Sequence, residues 1–186
     1  MRIIAGKLKN RKLLESSHLK DLRPTTDKNR ETVFNILNSA KFLQEIDFSL
    51  QDCNVLDLCC GTGAIAFEAI SRGASYVLLV DNNSKHLEIA KQNAQKFAVE
   101  NEVEFLLCDA EKLPFAKKVF NLIFVDPPYS VNTKKMVTNL LEKKYLDKNS
   151  LIIIESDKNF EDNFAGLKLI DSRIFGISKI NFYLNK

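Results

Sequence analysis

The sequence predicts an α/β fold, a mostly parallel β-sheet covered by helices on both faces and finished by an antiparallel hairpin. Three observations lead there. From Cys53 onward, short apolar runs alternate with stretches of helical periodicity, the pattern of strand–helix–strand crossovers. The runs are nearly continuous in apolar residues, as strands buried on both faces are. Near the C-terminus, LKLIDSRIFGISKINFYL holds two strand-like pieces with no helix between them, a connection short enough only for antiparallel neighbours.

In chain order, residues 2–5 and 11–14 are short apolar pieces separated by Gly6, Lys7, Lys9 and Asn10, the composition of a small basic β-hairpin. In LRPTTDKNRETVFNIL, Pro24 disfavours helix before it. Thr25, Thr26 or Asp27 can cap a helix that carries Val33, Phe34, Ile36 and Leu37 and ends near Ala40. Strands are expected at NVLDL (54–58), YVLLV (76–80), VEFLL (103–107), NLIFV (121–125), LIIIE (151–155) and INFYL (180–184). Helices are expected near 63–72, 84–98 and 133–144.

A chain of 186 residues is long enough for one domain with a proper core and short for two. Apolar residues make up 45% and charged ones 27%, an ordinary soluble globular composition. No apolar run approaches the roughly 20 residues of a membrane span. MRIIAGKLKNRK is basic but lacks the apolar stretch of a signal peptide, so a cytoplasmic location is expected. The four cysteines (Cys53, Cys59, Cys60, Cys108) have no C-x-x-C spacing and only two histidines, His18 and His86, accompany them. That argues against zinc and for reduced core thiols. Charge is unevenly spread. Residues 1–30 hold nine Lys/Arg against three Asp/Glu, a net +6 that leaves −3 for the rest of a chain whose total is +3. A basic arm on a mildly acidic body points to a polyanionic partner met by one end.

In such sheets ligands bind at the carboxyl ends of the strands, where strand order reverses. DLCCGTGAIAFEA (57–69) follows the first core strand. Gly61 and Gly63 permit a tight turn and close approach of a ligand, and the helix that follows presents free N–H groups to an anionic group. Asp81, twenty residues past Gly61, ends the second strand and is placed to accept from ribose hydroxyls. Asp109 ends the third and can accept from an adenine amine. Each feature alone is weak: the loop also fits the relaxed G-x-G-x-x-A of dinucleotide enzymes, and an acid at a strand end often caps a helix. Three acids, Asp57, Asp81 and Asp109, at three consecutive strand ends describe a nucleoside pocket without saying which nucleoside.

The fourth strand leaves the core through Asp126-Pro127-Pro128-Tyr129. Two prolines stiffen the segment and remove donors. A carboxylate and a neighbouring carbonyl become fixed acceptors, with the flat face of Tyr129 beside them. That set matches a planar –NH2 on a conjugated system, whose lone pair is delocalised. Accepting both N–H groups localises the lone pair toward a methyl donor, an in-line displacement assisted by positioning and electrostatics.

DLCCGTG, Asp81, Asp109 and DPPY resemble the class I S-adenosylmethionine-dependent amino-methyltransferases. MRIIAGKLKNRKL and LRPTTDKNRETVFNIL resemble more narrowly the RsmD family, bacterial 16S rRNA guanine-N2 methyltransferases, and the similarity runs nearly to the terminal GISKINFYL. The resemblance implies a Rossmann-like seven-stranded class I methyltransferase sheet, mostly parallel with an antiparallel C-terminal strand and a small N-terminal β-hairpin extension. The extension would span residues 1–22 and the methyltransferase domain residues 23–186. It implies methyl transfer from S-adenosylmethionine, giving S-adenosylhomocysteine, to the exocyclic amine of a guanine, guanine 966, of 16S rRNA in the small ribosomal subunit, by a monomer that needs no metal. Asp57, Cys59, Gly61 and Gly63 would shape the methionine end of the cofactor site, Asp81 and Asn82 the ribose end, and Asp109 and Ala110 the adenine end. Asp126 and Pro127 would hold the target amine, with Tyr129 on the base. Arg2, Lys7, Lys9, Arg11, Lys12, Arg23 and Arg30 would meet RNA, Arg23, Thr25, Thr26 and Arg30 meeting RNA or cofactor. Cys59-Cys60 stands where relatives often have other residues. DPPY by itself does not separate guanine from adenine or cytosine in DNA, or from a glutamine amide. A nicotinamide-dependent oxidoreductase and a non-catalytic RNA-binding module are the other readings; the first leaves DPPY without a role, and the second predicts that Asp126→Ala changes nothing beyond stability.

Overall fold

Seven strands form one sheet in a computed structural model that describes residues 1–15, 27–127, 131–158, 163–176 and 178–186. Ahead of the sheet lie α1 (Asp27–Ser39) and the single-turn α2 (Lys41–Gln44). The strands are β1 (Asn54–Leu58), β2 (Tyr76–Asp81), β3 (Val103–Leu107), β4 (Phe120–Val125), β5 (Leu146–Asp157), β6 (Leu167–Phe175) and β7 (Ser178–Asn185). Helices α3 (Ala64–Ser71), α4 (Ser84–Phe97) and α5 (Thr133–Glu142) make the crossovers after β1, β2 and β4. The β3–β4 connection has only a 3₁₀ turn, Ala110–Lys112. Strand order is β3-β2-β1-β4-β5-β7-β6, parallel from β3 through β5 and antiparallel where β7 meets β5 and β6.

Each expected strand is present, and β5 starts earlier than expected because Leu146 pairs with Phe120 across a register shift. The period-two alternation of side chains divides the core. Val55, Phe124, Ile153 and Phe182 face α1, α3 and α4, while Leu56, Leu58, Ile123 and Ile152 face α5. Helix α3 is apolar nearly all round, with Ala66, Phe67, Ala69 and Ile70 fully buried, because it is covered on both sides.

Its outer cover is the N-terminal arm. Ile3 N donates to Arg11 O (2.9 Å), Asn10 N to Ile3 O (2.9 Å) and Leu13 N to Met1 O (3.1 Å), around one antiparallel bridge between Arg2 and Lys12. Ile3, Leu8 and Leu13 are buried in the same layer as α3 and α4. Gly6 has φ +82° and lies so close to α3 that an added Cβ would sit 1.8 Å from Ser71 O. Lys7 N donates to that carbonyl (2.7 Å) and Leu8 N to Ser71 Oγ (2.9 Å), satisfying the helix C-terminus.

Glu68 ties these pieces together. Its fully buried carboxylate accepts from Ile4 N (2.8 Å), Ala5 N (3.1 Å) and Arg72 Nε (2.6 Å), with Arg30 Nε at 3.7 Å. Arg30, on α1, donates to Arg2 O (2.5 Å) and is 1% exposed. The expectation that Arg30 touches RNA is therefore corrected: it braces the arm from inside, because the Glu68 carboxylate offers it a buried counter-charge. Removing that charge leaves Arg30 and Arg72 without it. Glu68→Ala is expected to lower unfolding free energy by about 3–5 kcal/mol in urea denaturation, with a smaller loss for Glu68→Gln. A loss below about 1 kcal/mol would mean that apolar contacts alone hold the arm.

Candidate active site

β1 pairs with β2 on one side and with β4 on the other, so strand order reverses there and a crevice opens at the carboxyl ends. Leu58 is paired with Val125, which puts Cys59 and Asp126 on the next step, one on each lip. The chain then turns through left-handed residues: Cys59 at φ 61°, Gly61 at 55° and Gly63 at 83°. Gly63 precedes α3 with no side-chain cap, and an added Cβ would meet Phe67 at 2.6 Å and Leu79 at 2.9 Å. Cys59 adopts the same region with a side chain, at a cost on the order of 1 kcal/mol or more.

The acids hold this loop. Asp81, 7% exposed, accepts from Gly61 N (2.9 Å) and Asn83 N (2.9 Å). Asp57, which projects to the α3 side of β1, accepts from Ala66 N at 3.2 Å. Asp109 caps its 3₁₀ turn by accepting from Glu111 N (2.9 Å), with Lys112 Nζ at 3.8 Å. Asn82 is exposed at the rim and Ala110 is buried below it. Asp126 and Pro127 are half-buried at the end of β4. Pro128 and Tyr129 lie outside the described residues, as do Arg23, Thr25 and Thr26.

The electrostatics record how tightly these groups converge. Burial pushes the Asp57 carboxyl up to about 8; the Ala66 N–H opposes the rise, and the charges of Asp126 and Asp81 add to it. Burial also pushes the Cys59 thiol up to about 12, helped by the charges of Asp81, Asp126, Asp57 and Asp109. The charges of all four acids therefore act on one thiol. Burial first, then Asp57 and Asp81, raises Cys60 as well. Both thiols stay protonated at neutral pH and make poor nucleophiles.

Three further residues have no signal strong enough in the sequence to single them out. His86, on the first turn of α4, has Nδ1 3.2 Å from Asp81 Oδ1 and Nε2 3.2 Å from Asn83 Nδ2. Asn93 is fully buried; it accepts from Leu14 N (2.7 Å) and donates to Leu14 O and Thr62 O (3.2 Å each), joining arm to glycine loop. Its trace in the sequence is an amide on the stripe of Ala90, Ala94 and Phe97. Glu155, two residues before the end of β5, lines a pocket with Arg30, Phe34, Ile65, Phe124 and Asp126.

The basic residues of the arm divide. Arg2, Lys9 and Lys12 are exposed. Lys7 Nζ pairs with Glu102 at 2.6 Å, and Arg11 donates to Phe97 O (3.1 Å) while its guanidinium lies 6.0 Å from the Phe97 ring centre. Among the described residues no group of three or more His, Cys, Asp or Glu is arranged to hold a metal ion, and no helix is long and apolar enough to cross a membrane.

A family model described as "Conserved hypothetical protein 95" matches residues 1–184. The chain is 35% identical over 161 residues to the Ribosomal RNA small subunit methyltransferase D of Buchnera aphidicola subsp. Acyrthosiphon pisum, covering 84% of this chain and 78% of that one. Among solved structures, one described as "Putative methyltransferase yhhF from Escherichia coli" superposes with a TM-score of 0.82 at 25% identity, covering 100% of this chain and 98% of that one. An RNA methyltransferase from Salinibacter ruber, in complex with S-adenosyl-L-homocysteine, has the same fold, with a TM-score of 0.64 at 16% identity over 88% of this chain and 94% of that one. The sheet is that of the class I methyltransferases, and the chain belongs to the family of the matching model, the RsmD-type S-adenosylmethionine-dependent RNA methyltransferases.

Proposed function

We propose that this protein transfers the methyl group of S-adenosylmethionine to the exocyclic N2 of a guanine, guanine 966, in 16S rRNA of the small ribosomal subunit, acting in the cytoplasm as a monomer. The observation that carries the reading is the gathering of Asp57, Asp81, Asp109 and Asp126 near the carboxyl ends of four parallel strands, where the charges of all four act on Cys59. The name of the Buchnera relative supports ribosomal RNA of the small subunit as the substrate.

The residues fit the cofactor. A left-handed Gly63 and an α3 N-terminus without a side-chain cap suit a carboxylate. Asp57, Cys59 and Gly61 would line its methionine end, Asp81 and Asn82 the ribose, and Asp109 and Ala110 the adenine. A concave site with this excess of carboxyl groups suits a ligand bearing cationic ammonium and sulfonium centres. When bound, the cofactor supplies an electrophilic methyl group. The Asp126 carboxylate and the Pro127 carbonyl accept the two N–H bonds of the target amine and direct its lone pair at that methyl. Tyr129 stacks on the base, which must leave its stack to reach them. Residues 1–22 act as a basic extension and residues 23–186 as the catalytic domain, with Arg2, Lys7, Lys9, Arg11, Lys12 and Arg23 toward phosphate.

Asp126→Ala is expected to lower single-turnover methyl transfer to unmodified small subunits by at least about a hundredfold while S-adenosylhomocysteine affinity changes less than about threefold. A parallel loss of cofactor affinity would contradict the assigned role. Deleting the arm would uncover α3, so its role in RNA binding is better read by neutralising Arg2, Lys9 and Lys12 to Gln. The slope of log affinity for RNA against log salt should then fall by up to about two to three units; an unchanged slope removes these residues from the RNA face. Asp57, protonated below about 8 in the free protein, must ionise beside a cationic ligand. Cofactor binding near neutral pH should therefore release up to about one proton and tighten as pH rises toward 8. Calorimetry in buffers of different ionisation enthalpy should detect this proton, and Asp57→Asn should abolish it.

A further inference from the structure

Glu155 belongs to the target end of the site by register. Phe124 pairs with Ile153 and Val125 with Ile154 in parallel β4 and β5, so Asp126 and Glu155 occupy the next rung, on strands about 4.8 Å apart. Both side chains line one pocket, with Phe124, Ile153, Ile180 and the buried Arg30. Glu155 is half-buried, yet its carboxylate forms no hydrogen bond or ion pair with a described residue. Such a group in a buried strand is a cost to the free protein and is matched when a donor arrives.

On the guanine reading above, we infer that Glu155 selects the base, accepting the ring N1–H of guanine beside the amine held by Asp126. Two acceptors on one rung of adjacent strands complement two donors in a row. Guanine is the one standard base whose exocyclic amine stands next to a ring N–H. Adenine and cytosine carry a bare ring nitrogen at that place, which would face the Glu155 carboxylate lone pair to lone pair. Uracil has no exocyclic amine. The same carboxylate thus attracts one base and repels two, as expected where unstacked bases are read on their Watson–Crick edges.

The test uses small subunits reconstituted with guanine or 2-aminopurine at the target position. The analogue keeps the amine but has a bare ring nitrogen in place of N1–H. The wild-type protein should prefer guanine by at least about tenfold in kcat/KM. Glu155→Gln, which can turn its amide N–H toward a bare nitrogen, should lose rate on guanine and narrow that preference several-fold, with S-adenosylhomocysteine affinity unchanged as the check on folding. An undiminished preference in Glu155→Gln overturns the role of Glu155 and leaves guanine methylation standing. Methylation by the wild-type protein of adenine or cytosine instead of guanine, or of no base, overturns both.

Discussion

The site depends on a topological constraint: β1 has β2 on one side and β4 on the other. Parallel strands need crossovers, and the β1-to-β2 and β4-to-β5 crossovers run outward in opposite directions from the neighbouring strands β1 and β4, so they cannot cover the same stretch of sheet edge. The gap they leave is where the glycine loop turns. Because the strands are parallel, acids at or next to their carboxyl ends reach the same rim, and Asp57, Asp81, Asp109 and Asp126 come together although up to 69 positions separate them in the chain.

Gathering four carboxyl groups around a crevice carries an electrostatic penalty, and the structure meets it in different ways. Asp81 takes two backbone N–H groups and faces His86. Asp57 takes one N–H and, being buried beside Asp126 and Asp81, is held protonated. Asp109 is paired near the surface. The result is a site set up for positive charge, with protonated thiols in its wall.

The arm and the site are mechanically connected. Glu68, on the helix that follows the glycine loop, holds the arm backbone and, through Arg30, the first helix. Asn93 makes a second link from Leu14 to Thr62 inside the loop itself. A segment that reads in sequence as a basic appendage is therefore part of the core on its inner face, through Ile3, Leu8 and Leu13, while Arg2, Lys9 and Lys12 remain outside.

By itself the sequence determined whatever is written in local periodicity. The buried strands, the amphipathic α4, the glycine turn and the acids closing each strand are legible because each is encoded within a few neighbouring residues. The stiff acceptor segment opening at Asp126 is legible for the same reason, since proline fixes backbone geometry locally. Tertiary structure decided what needs a distant partner. Arg30 looks like a surface cation until Glu68, 38 positions away, buries it. Asn93 looks like a defect in an apolar stripe until Leu14 and Thr62 arrive, and Glu155 looks like a strand-ending acid until β4 sets Asp126 beside it. The meaning of a polar side chain is set by the burial and partners that the fold gives it, and those are contacts between segments that no single segment contains.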